Sequence, residues 1–141
     1  MTPKGEAPQL HHVVFAVAPE HHDDVARMFT DLGFTLQSAE LSELGVRINL
    51  DWNHGIELIS PLPGSTAPVA GSVNEFLSTK GDGVYTVVLQ VPGASAAESA
   101  AARYGATVRF RQKLAGNGSH LEEIDLSVLN LPLTLLDTNL P

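Results

Sequence analysis

HHVVFAV (residues 11–17) and YTVVLQV (residues 85–91) are two apolar stretches that lie 74 positions apart in a chain of 141 residues. Each is rich in the β-branched and aromatic residues typical of a strand, and each precedes a segment with helical spacing. Those predicted helices end at Gly33 and at Gly105. Because three further strands follow each helix at a near-constant offset, the sequence indicates two copies of one βαβββ unit.

The predicted elements place the first unit at residues 10–61 and the second at residues 83–138 of a single domain that spans residues 1–141. The first unit has strands at about 10–17, 34–40, 46–51 and 55–60, and a helix at about 19–32. The second has a strand at 85–91, an Ala-rich helix at 94–105, and strands in ATVRFRQ, HLEEIDL and LPLTLLD. Residues 62–82 between them are rich in Pro, Gly and Ser, which predicts a linker followed by the short helix VNEFLSTK.

This order of elements predicts the α+β class. Each helix is expected to cover one face of a four-stranded sheet, and the two other faces, side by side, to form an eight-stranded open trough with the helices outside. Because side chains alternate along a strand, Val46, Ile48 and Leu50 are expected beneath the first helix. The polar side chains of a trough predict a small-molecule cavity. The polar residues predicted to line it are His12, Arg47, Asn49, Asp51, Glu57, Glu123 and Asp125.

Composition excludes several classes of function. There is no cysteine, so thiolate catalysis and thiolate metal sites are excluded. The net charge is −8, without a Lys/Arg cluster, which argues against a nucleic-acid partner. No apolar run reaches the ~18 residues of a membrane helix, and MTPKGEAPQL is not a signal peptide, so we expect a cytoplasmic protein that does not enter a membrane.

Four segments resemble those of the vicinal-oxygen-chelate superfamily, and in particular its methylmalonyl-CoA epimerase-like branch: LHHVVFAV (10–17), ELSELGV (40–46), GIELISP (55–61) and VNEFLSTKGDGVYTVVLQV (73–91). The resemblance covers residues 10 to 141. It implies a glyoxalase- or epimerase-like protein that transfers a proton next to a carbonyl in a small oxygenated substrate. It also implies a homodimer, since such units commonly pair across a two-fold axis.

The metal-dependent members of this superfamily hold a divalent ion with four ligands from the first and fourth strands of the two units. The resemblance places His12 and Glu57 at the first pair of ligand positions, and Thr86 and Thr134 at the second pair. Threonine hydroxyls are poor ligands for such an ion, so the implied metal site is degenerate and the cofactor stays undecided. Glu43 matches the residue that can serve as a proton-shuttling base, and Glu57 is the second candidate catalytic residue.

Further interpretations stay open for the residues around the expected cavity. His12 and Glu57 either bind a metal ion or form a metal-free pair that contacts the substrate. Trp52 and Tyr85 either stack on a flat ligand or pack in the core. The alternative function is a metal-free protein that binds a small molecule, such as an antibiotic, without catalysis. The candidate ligand-binding residues are His12, Arg47, Asn49, Trp52, Tyr85, Thr86, Glu123 and Thr134.

Two more residues are candidates for completing the site. Glu123 and Asp125 either supply the missing carboxylate or form ion pairs with Arg47, Arg109 and Arg111. An iron-dependent dioxygenase needs two histidines and a carboxylate, which the threonine at position 86 disfavours.

Overall fold

A computed structural model describes residues 7–140, which divide into two compact units. The first unit is His12–Tyr85, and the second is Thr86–Pro141 together with the residues through His11. A strand, a helix and three further strands follow one another in this order in both repeats. The predicted α+β class and the two βαβββ repeats are therefore confirmed.

The elements of the first repeat are β1 (Gln9–Ala16), α1 (His22–Asp31), β2 (Gln37–Leu41), β3 (Val46–Asp51) and β4 (Ile56–Pro61). Helix α2 (Pro68–Lys80) follows them. The elements of the second repeat are β5 (Gly83–Gln90), α3 (Ala94–Ala102), β6 (Thr107–Gly116), β7 (Ser119–Val128) and β8 (Leu131–Thr138). Short 3-10 helices at Pro19–His21 and Trp52–His54 precede α1 and β4.

Strand pairing is the same in the two repeats. The strand order is β2-β3-β4-β1 in the first and β5-β8-β7-β6 in the second. The parallel pair β1/β4 sets Val14 opposite Glu57, and the parallel pair β5/β8 sets Val88 opposite Thr134. Val14 and Val88 differ by 74 residues, the offset of the two opening stretches of the sequence repeat, and Glu57 and Thr134 differ by 77. His12 and Thr86, each two residues earlier on its strand, are therefore equivalent positions.

Each repeat has one helix against one face of its sheet. In the first, the ring of Phe29 on α1 lies 5.8 Å from that of Phe15 on β1. In the second, Ala94 of α3 packs in a core with Ile124 and Leu126, as alternation predicts. We call this side of each sheet the helix face and the other side the opposite face. Among the described residues, no helix is long and apolar enough to cross a membrane.

The prediction that the apolar side of β3 lies beneath the first helix is wrong. Arg47 donates a hydrogen bond to Asp23 on α1 at 2.6 Å, and Asn49 lies 2.5 Å from the ring of His22, also on α1. These polar residues therefore lie on the helix face, and Val46, Ile48 and Leu50 lie on the opposite face with Glu57. The physical reason is that the first turn of α1 is polar, so it packs against the polar side of β3.

Helix α2 begins earlier than the sequence predicts. It starts at Pro68, inside the segment interpreted as a linker, and Ala70 and Val73 are fully buried. Proline is well suited to a first helical position because its φ angle is already helical. Gly45 lies close to this helix with φ at +72°, and a Cβ there would come within 2.9 Å of the Cβ of Ala70. The turn before β3 therefore needs a glycine.

Candidate functional site

His12, Glu57 and Trp52 form one cluster in the first unit. His12 on β1 and Glu57 on β4 lie on the opposite face of neighbouring parallel strands. Nε2 of His12 is 3.3 Å from Oε1 of Glu57. The ring of Trp52, in the 3-10 helix before β4, stacks on His12 with centroids 5.1 Å apart. The structure thus brings together an imidazole, a carboxylate and an indole.

Two nitrogen atoms meet at one oxygen of Glu57. The Nε1–H group of Trp52 donates to Oε1 at 3.1 Å, and Nε2 of His12 approaches the same oxygen. Neither contact involves Oε2, the other oxygen of this carboxylate. The side chain of Glu57 is 13% exposed and that of His12 is 3% exposed, so a ligand reaches the carboxylate before the imidazole.

The equivalent positions of the second unit carry hydroxyl groups. The Oγ1 atoms of Thr86 and Thr134 are 3.0 Å apart, and Thr134 donates to Oδ1 of Asp125 at 2.8 Å. Asp125 is opposite Thr134 in the β7/β8 register. A carboxylate is therefore present on the opposite face here as well, but it comes from β7 rather than β8.

This set of donors does not fit a divalent metal ion. His12 and Glu57 contact each other, and the two threonine hydroxyls are hydrogen-bonded together. Divalent ions are held by imidazole and carboxylate groups rather than by neutral hydroxyls. Within residues 7–140, no group of three His, Cys, Asp or Glu side chains is arranged to hold an ion. The metal-binding role that the resemblance implies for His12 and Glu57 has no support in this geometry.

Several predicted site residues lie elsewhere. Glu43 is exposed in the turn before β3, whereas Leu50 at the other end of that strand is opposite Glu57. Four residues of strand separate these ends by about 13 Å. Tyr85 packs against α2, where its hydroxyl lies 2.5 Å from that of Ser72. Arg47 and Asn49 contact α1, as described above, so they lie on the wrong face to join the cluster.

The carboxylates of β7 are placed as alternation predicts. Glu123 and Asp125 are half-buried on the opposite face of the second unit. Two arginines expected to pair with them have other partners, because Arg47 contacts Asp23 and Arg111 contacts Glu98. The sequence pattern did not reveal that Asp125 is hydrogen-bonded to Thr134. Pairing register, not spacing along the chain, was the missing signal.

His22 is a second feature that sequence reasoning missed. It is fully buried, with Nδ1 at 2.6 Å from the hydroxyl of Ser60 and Nε2 beside Asn49. Burial lowers the pKa of His22, and the nearby Arg47 lowers this pKa further, although the Asn49 contact opposes the shift. This buried histidine on the helix face is a packing element rather than part of the cluster.

Comparison with solved structures supports this fold. A hypothetical protein of Bacillus halodurans aligns with a TM-score of 0.70 at 18% identity, over 96% of this chain and 98% of that one. Methylmalonyl-CoA epimerase of Mycobacterium tuberculosis aligns with a TM-score of 0.62 at 22% identity, over 91% and 86%. A 4-hydroxymandelate synthase variant of Streptomyces coelicolor aligns with a TM-score of 0.64 at 15% identity, over 94% of this chain and 49% of that chain.

The class that these likenesses define is the vicinal-oxygen-chelate fold, as the sequence resemblance predicted. No protein-family model matches the chain, and no curated protein matches it by sequence. At these identities the likeness describes the fold alone.

Proposed function

We propose that the protein binds a small oxygenated molecule at the cluster of His12, Glu57 and Trp52 and transfers a proton at a carbon next to a carbonyl. The observation that carries this proposal is the convergence of two nitrogen atoms on Oε1 of Glu57. A carboxylate anchored through one oxygen holds the other in a fixed position, which is what a general base requires. The reaction proceeds without a metal ion.

In the proposed reaction, Oε2 of Glu57 accepts the proton from carbon, and the C–H electron pair moves into the enolate. A developing enolate oxygen needs hydrogen-bond donors. The N–H groups of Trp52 and His12 supply these donors. Once Glu57 is protonated it is a weaker acceptor, so both N–H groups become available to the enolate oxygen. Return of the proton to carbon regenerates the carboxylate. The fold is shared with methylmalonyl-CoA epimerase, which gives a precedent for this scaffold.

The experiment is hydrogen–deuterium exchange at carbon, measured by NMR for a panel of small carbonyl compounds in D₂O. We expect the native protein to catalyse exchange in at least one compound. Glu57→Gln is expected to slow that exchange by about 100-fold or more, the range of a lost general base. Glu43→Gln is the matched control, since Glu43 lies exposed in a turn. Loss of exchange in Glu43→Gln but not in Glu57→Gln would contradict the proposal.

A second candidate function is binding without chemistry. The half-buried indole of Trp52 beside the carboxylate of Glu57 suits an organic cation, as does the net charge of −8. A ligand that raises the melting temperature strongly and is recovered unchanged, without carbon exchange, would favour this function. Ligand at 100 times its Kd adds ~2.7 kcal/mol to the free energy of unfolding, which a thermal shift detects.

The prediction of a homodimer also belongs to this proposal. All five residues of β2, at one end of the strand order, are exposed. An edge strand offers unpaired N–H and C=O groups to a second copy. Sedimentation equilibrium should give a mass near twice 15.0 kDa, and a monomeric mass at micromolar concentration would exclude the dimer.

A further inference from the structure

An open apolar hollow of about 350 Å³ lies on the surface of the second unit. Its walls are the C-terminal part of α3 and the hairpin of β7 and β8. None of the described residues that line it carries a charge. Ligand cavities in proteins are mostly apolar and start at about 300 Å³, so the hollow is large enough for a small molecule. The lining includes Ala101, Tyr104, Val128, Leu129 and Leu131.

The end of α3 corresponds residue by residue to the end of α1, at an offset of 72 residues. In the first repeat, the backbone N–H of Phe34 donates to the carbonyl of Phe29 at 3.0 Å. In the second, the backbone N–H of Ala106 donates to the carbonyl of Ala101 at 3.3 Å. A glycine with a positive φ angle comes directly before each of the two donors. The two alanines are therefore the equivalents of the two phenylalanines.

Phenyl rings pack together at these positions in the first repeat. The rings of Phe29 and Phe34 are 5.6 Å apart, edge to face, and the ring of Phe15 on β1 lies 5.8 Å from that of Phe29. In the second repeat alanines replace two of these rings, and Leu89, 74 residues after Phe15, replaces the third. The second repeat thus lacks the aromatic cluster, and the hollow lies against one of the changed positions, Ala101.

The hairpin of β7 and β8 provides an apolar wall that has no counterpart in the first repeat. The pairing of β3 with β4 ends at Ile56, whose equivalent 77 residues later is Leu133. Strands β7 and β8 continue beyond this point, to Val128 opposite Leu131. Both of these residues line the hollow. The second repeat therefore differs from the first in two ways that favour an apolar site: it has fewer rings and a longer wall.

Leu129, at the tip of this hairpin, does little for the stability of the free protein. Its φ angle of 51° is disfavoured for leucine, and its side chain is 71% exposed. Tyr104 and Leu131, which also line the hollow, are 63% and 54% exposed. Strained backbone and grouped exposed apolar side chains are both typical of binding sites. A molecule in the hollow covers these side chains, and the apolar area removed from water stabilises the complex.

We infer that the hollow between α3 and the β7–β8 hairpin binds a small neutral molecule that has one or two aromatic rings. The first repeat indicates this class of ligand, because phenyl rings occupy there the positions that alanines occupy here. An apolar cavity of about 150 Å³ holds one benzene molecule. The volume of about 350 Å³ therefore accommodates two fused rings. An ionic ligand is disfavoured, since it would lose its hydration without gaining a charged partner.

The test titrates 2-naphthol into the full chain, with 2-naphthoate as the charged counterpart. The readout is the set of methyl resonances of Val128, Leu129 and Leu131 in ¹H–¹³C NMR spectra, because these residues line the hollow. We expect a saturable shift with 2-naphthol and an affinity for 2-naphthoate that is lower by about tenfold or more. Equal responses to the two probes, or no saturable shift with 2-naphthol, would overturn the inference.

The aromatic character of the ligand has its own control. Decahydro-2-naphthol has the same carbon skeleton, but its rings cannot form an aromatic pair with Tyr104. It is expected to bind more weakly by about threefold or more. Equal affinity for the aromatic and the saturated probe would refute the choice of an aromatic ligand.

Two variants test the location of the site. Ala101→Phe restores the residue type of the first repeat, and its ring is expected to occupy the hollow and lower the affinity for 2-naphthol about tenfold or more. Leu129→Asn removes an apolar side chain from the wall and is expected to lower this affinity several-fold. Leu32→Asn is the matched control, because Leu32 is 67% exposed and lies in the first unit. Native affinity in both Ala101→Phe and Leu129→Asn would contradict the inference.

A spectrum of backbone amides checks that each variant is folded, and Leu129→Asn carries the test if Ala101→Phe does not fold. The competing occupant is a second copy of the chain. Shifts of the same methyl resonances with protein concentration, in the absence of any probe, would show that copy and overturn the inference.

The indole N–H resonance of Trp52 separates this site from the cluster of His12, Glu57 and Trp52, which shares no residue with it. A 2-naphthol response confined to Trp52 would count against the hollow. The readout involves no turnover, so failure here leaves the proposed reaction standing, and failure of the carbon-exchange experiment leaves this inference standing.

Discussion

His22 connects helix α1 to the sheet of the first unit through buried hydrogen bonds. Ser60 donates its proton to the carbonyl of Val17, so it accepts from Nδ1–H of His22. Nε2 of His22 lies beside Oδ1 of Asn49, and the NH₂ group of Asn49 donates to the hydroxyl of Ser38. Because the ring of His22 is fully buried among these groups, its protonation costs the folded state the desolvation of a charge.

Stability should therefore depend on pH through His22. Burial lowers its folded pKa below the ordinary 6.5, so the unfolded chain binds the proton first as the pH falls. The contribution of His22 to the free energy of unfolding is complete above about pH 6.5. Below this pH the free energy of unfolding decreases by at most about 1.4 kcal/mol per pH unit. Urea denaturation between pH 7.5 and 5 measures this slope, and His22→Gln should reduce it.

His21 provides an internal comparison for this experiment. The hydrogen bond between His21 and Asp82, at 2.9 Å, raises the pKa of His21. The stability that this contact gives the folded protein is therefore lost as the pH rises through the raised pKa. His21→Gln should therefore retain the decrease in the free energy of unfolding below about pH 6.5 that we assign to His22. Equal slopes in the native protein and in His22→Gln would contradict the assignment.

At the residue scale, alternation was enough to predict that His12 and Glu57 meet, because both lie on strands with clear periodicity. It was not enough for Trp52, which lies in a 3-10 helix whose geometry has no strand period. His22 escaped notice because a histidine among acidic residues in a first helical turn is typical of an exposed position.

The turn between β7 and β8 is where local sequence and structure agree least. Asn117 and Gly118 join β6 to β7 with positive φ angles, as the residue types predict. Leu129 and Asn130 join β7 to β8 in the same way, with φ at 51° for Leu129. Leucine is disfavoured in this left-handed region.

Leu129→Asn should therefore stabilise the protein by about 0.5–1 kcal/mol, because asparagine tolerates a positive φ angle. Leu129 is 71% exposed, so little packing is lost. Leu131→Asn is the matched control, because Leu131 is also exposed but begins strand β8 and has no positive φ angle. Thermal denaturation compares the variants, and a lower melting temperature for Leu129→Asn would contradict this account of the turn.

Elements were predictable where one face is apolar and the other polar, and less so elsewhere. Ile124 and Leu126 follow this rule and pack under α3. Strand β3 alternates as well, but its polar side is the one that packs against His22 and Asp23 of α1, so the pattern predicted the strand and not its orientation. Helix α2 was partly missed because Pro68 and Gly71 are typical of loops, while the burial that stabilises the helix is visible only in three dimensions.

At the scale of the whole molecule, duplication determined the fold, and the divergence of the repeats determines the chemistry. The strands of the two repeats pair with the same register. What differs is the chemical type of the side chains at equivalent positions: an imidazole and a carboxylate in one repeat, and two hydroxyls in the other. The sequence alone shows this difference, but it does not show how the hydroxyl protons are arranged.

Divalent metal ions should have little effect on this protein. A specific ion at 100 times its Kd would add ~2.7 kcal/mol, a rise in melting temperature of roughly 8 °C for a chain of this size. Because neither unit provides three ligands among its described residues, we expect EDTA, Mn²⁺ and Zn²⁺ to change the melting temperature by about 1 °C or less. Sodium chloride at equal ionic strength is the control, and a rise of several degrees with one ion would show a specific site.

The stacking of His12 on Trp52 gives the protein an optical signal of its own. Trp52 is the single tryptophan of the chain, so all indole emission comes from this cluster. Its Nε1–H group also donates to Oε1 of Glu57 at 3.1 Å, so a ligand that engages this carboxylate changes the surroundings of the indole. Fluorescence intensity followed against added compounds therefore shows when Glu57 becomes occupied.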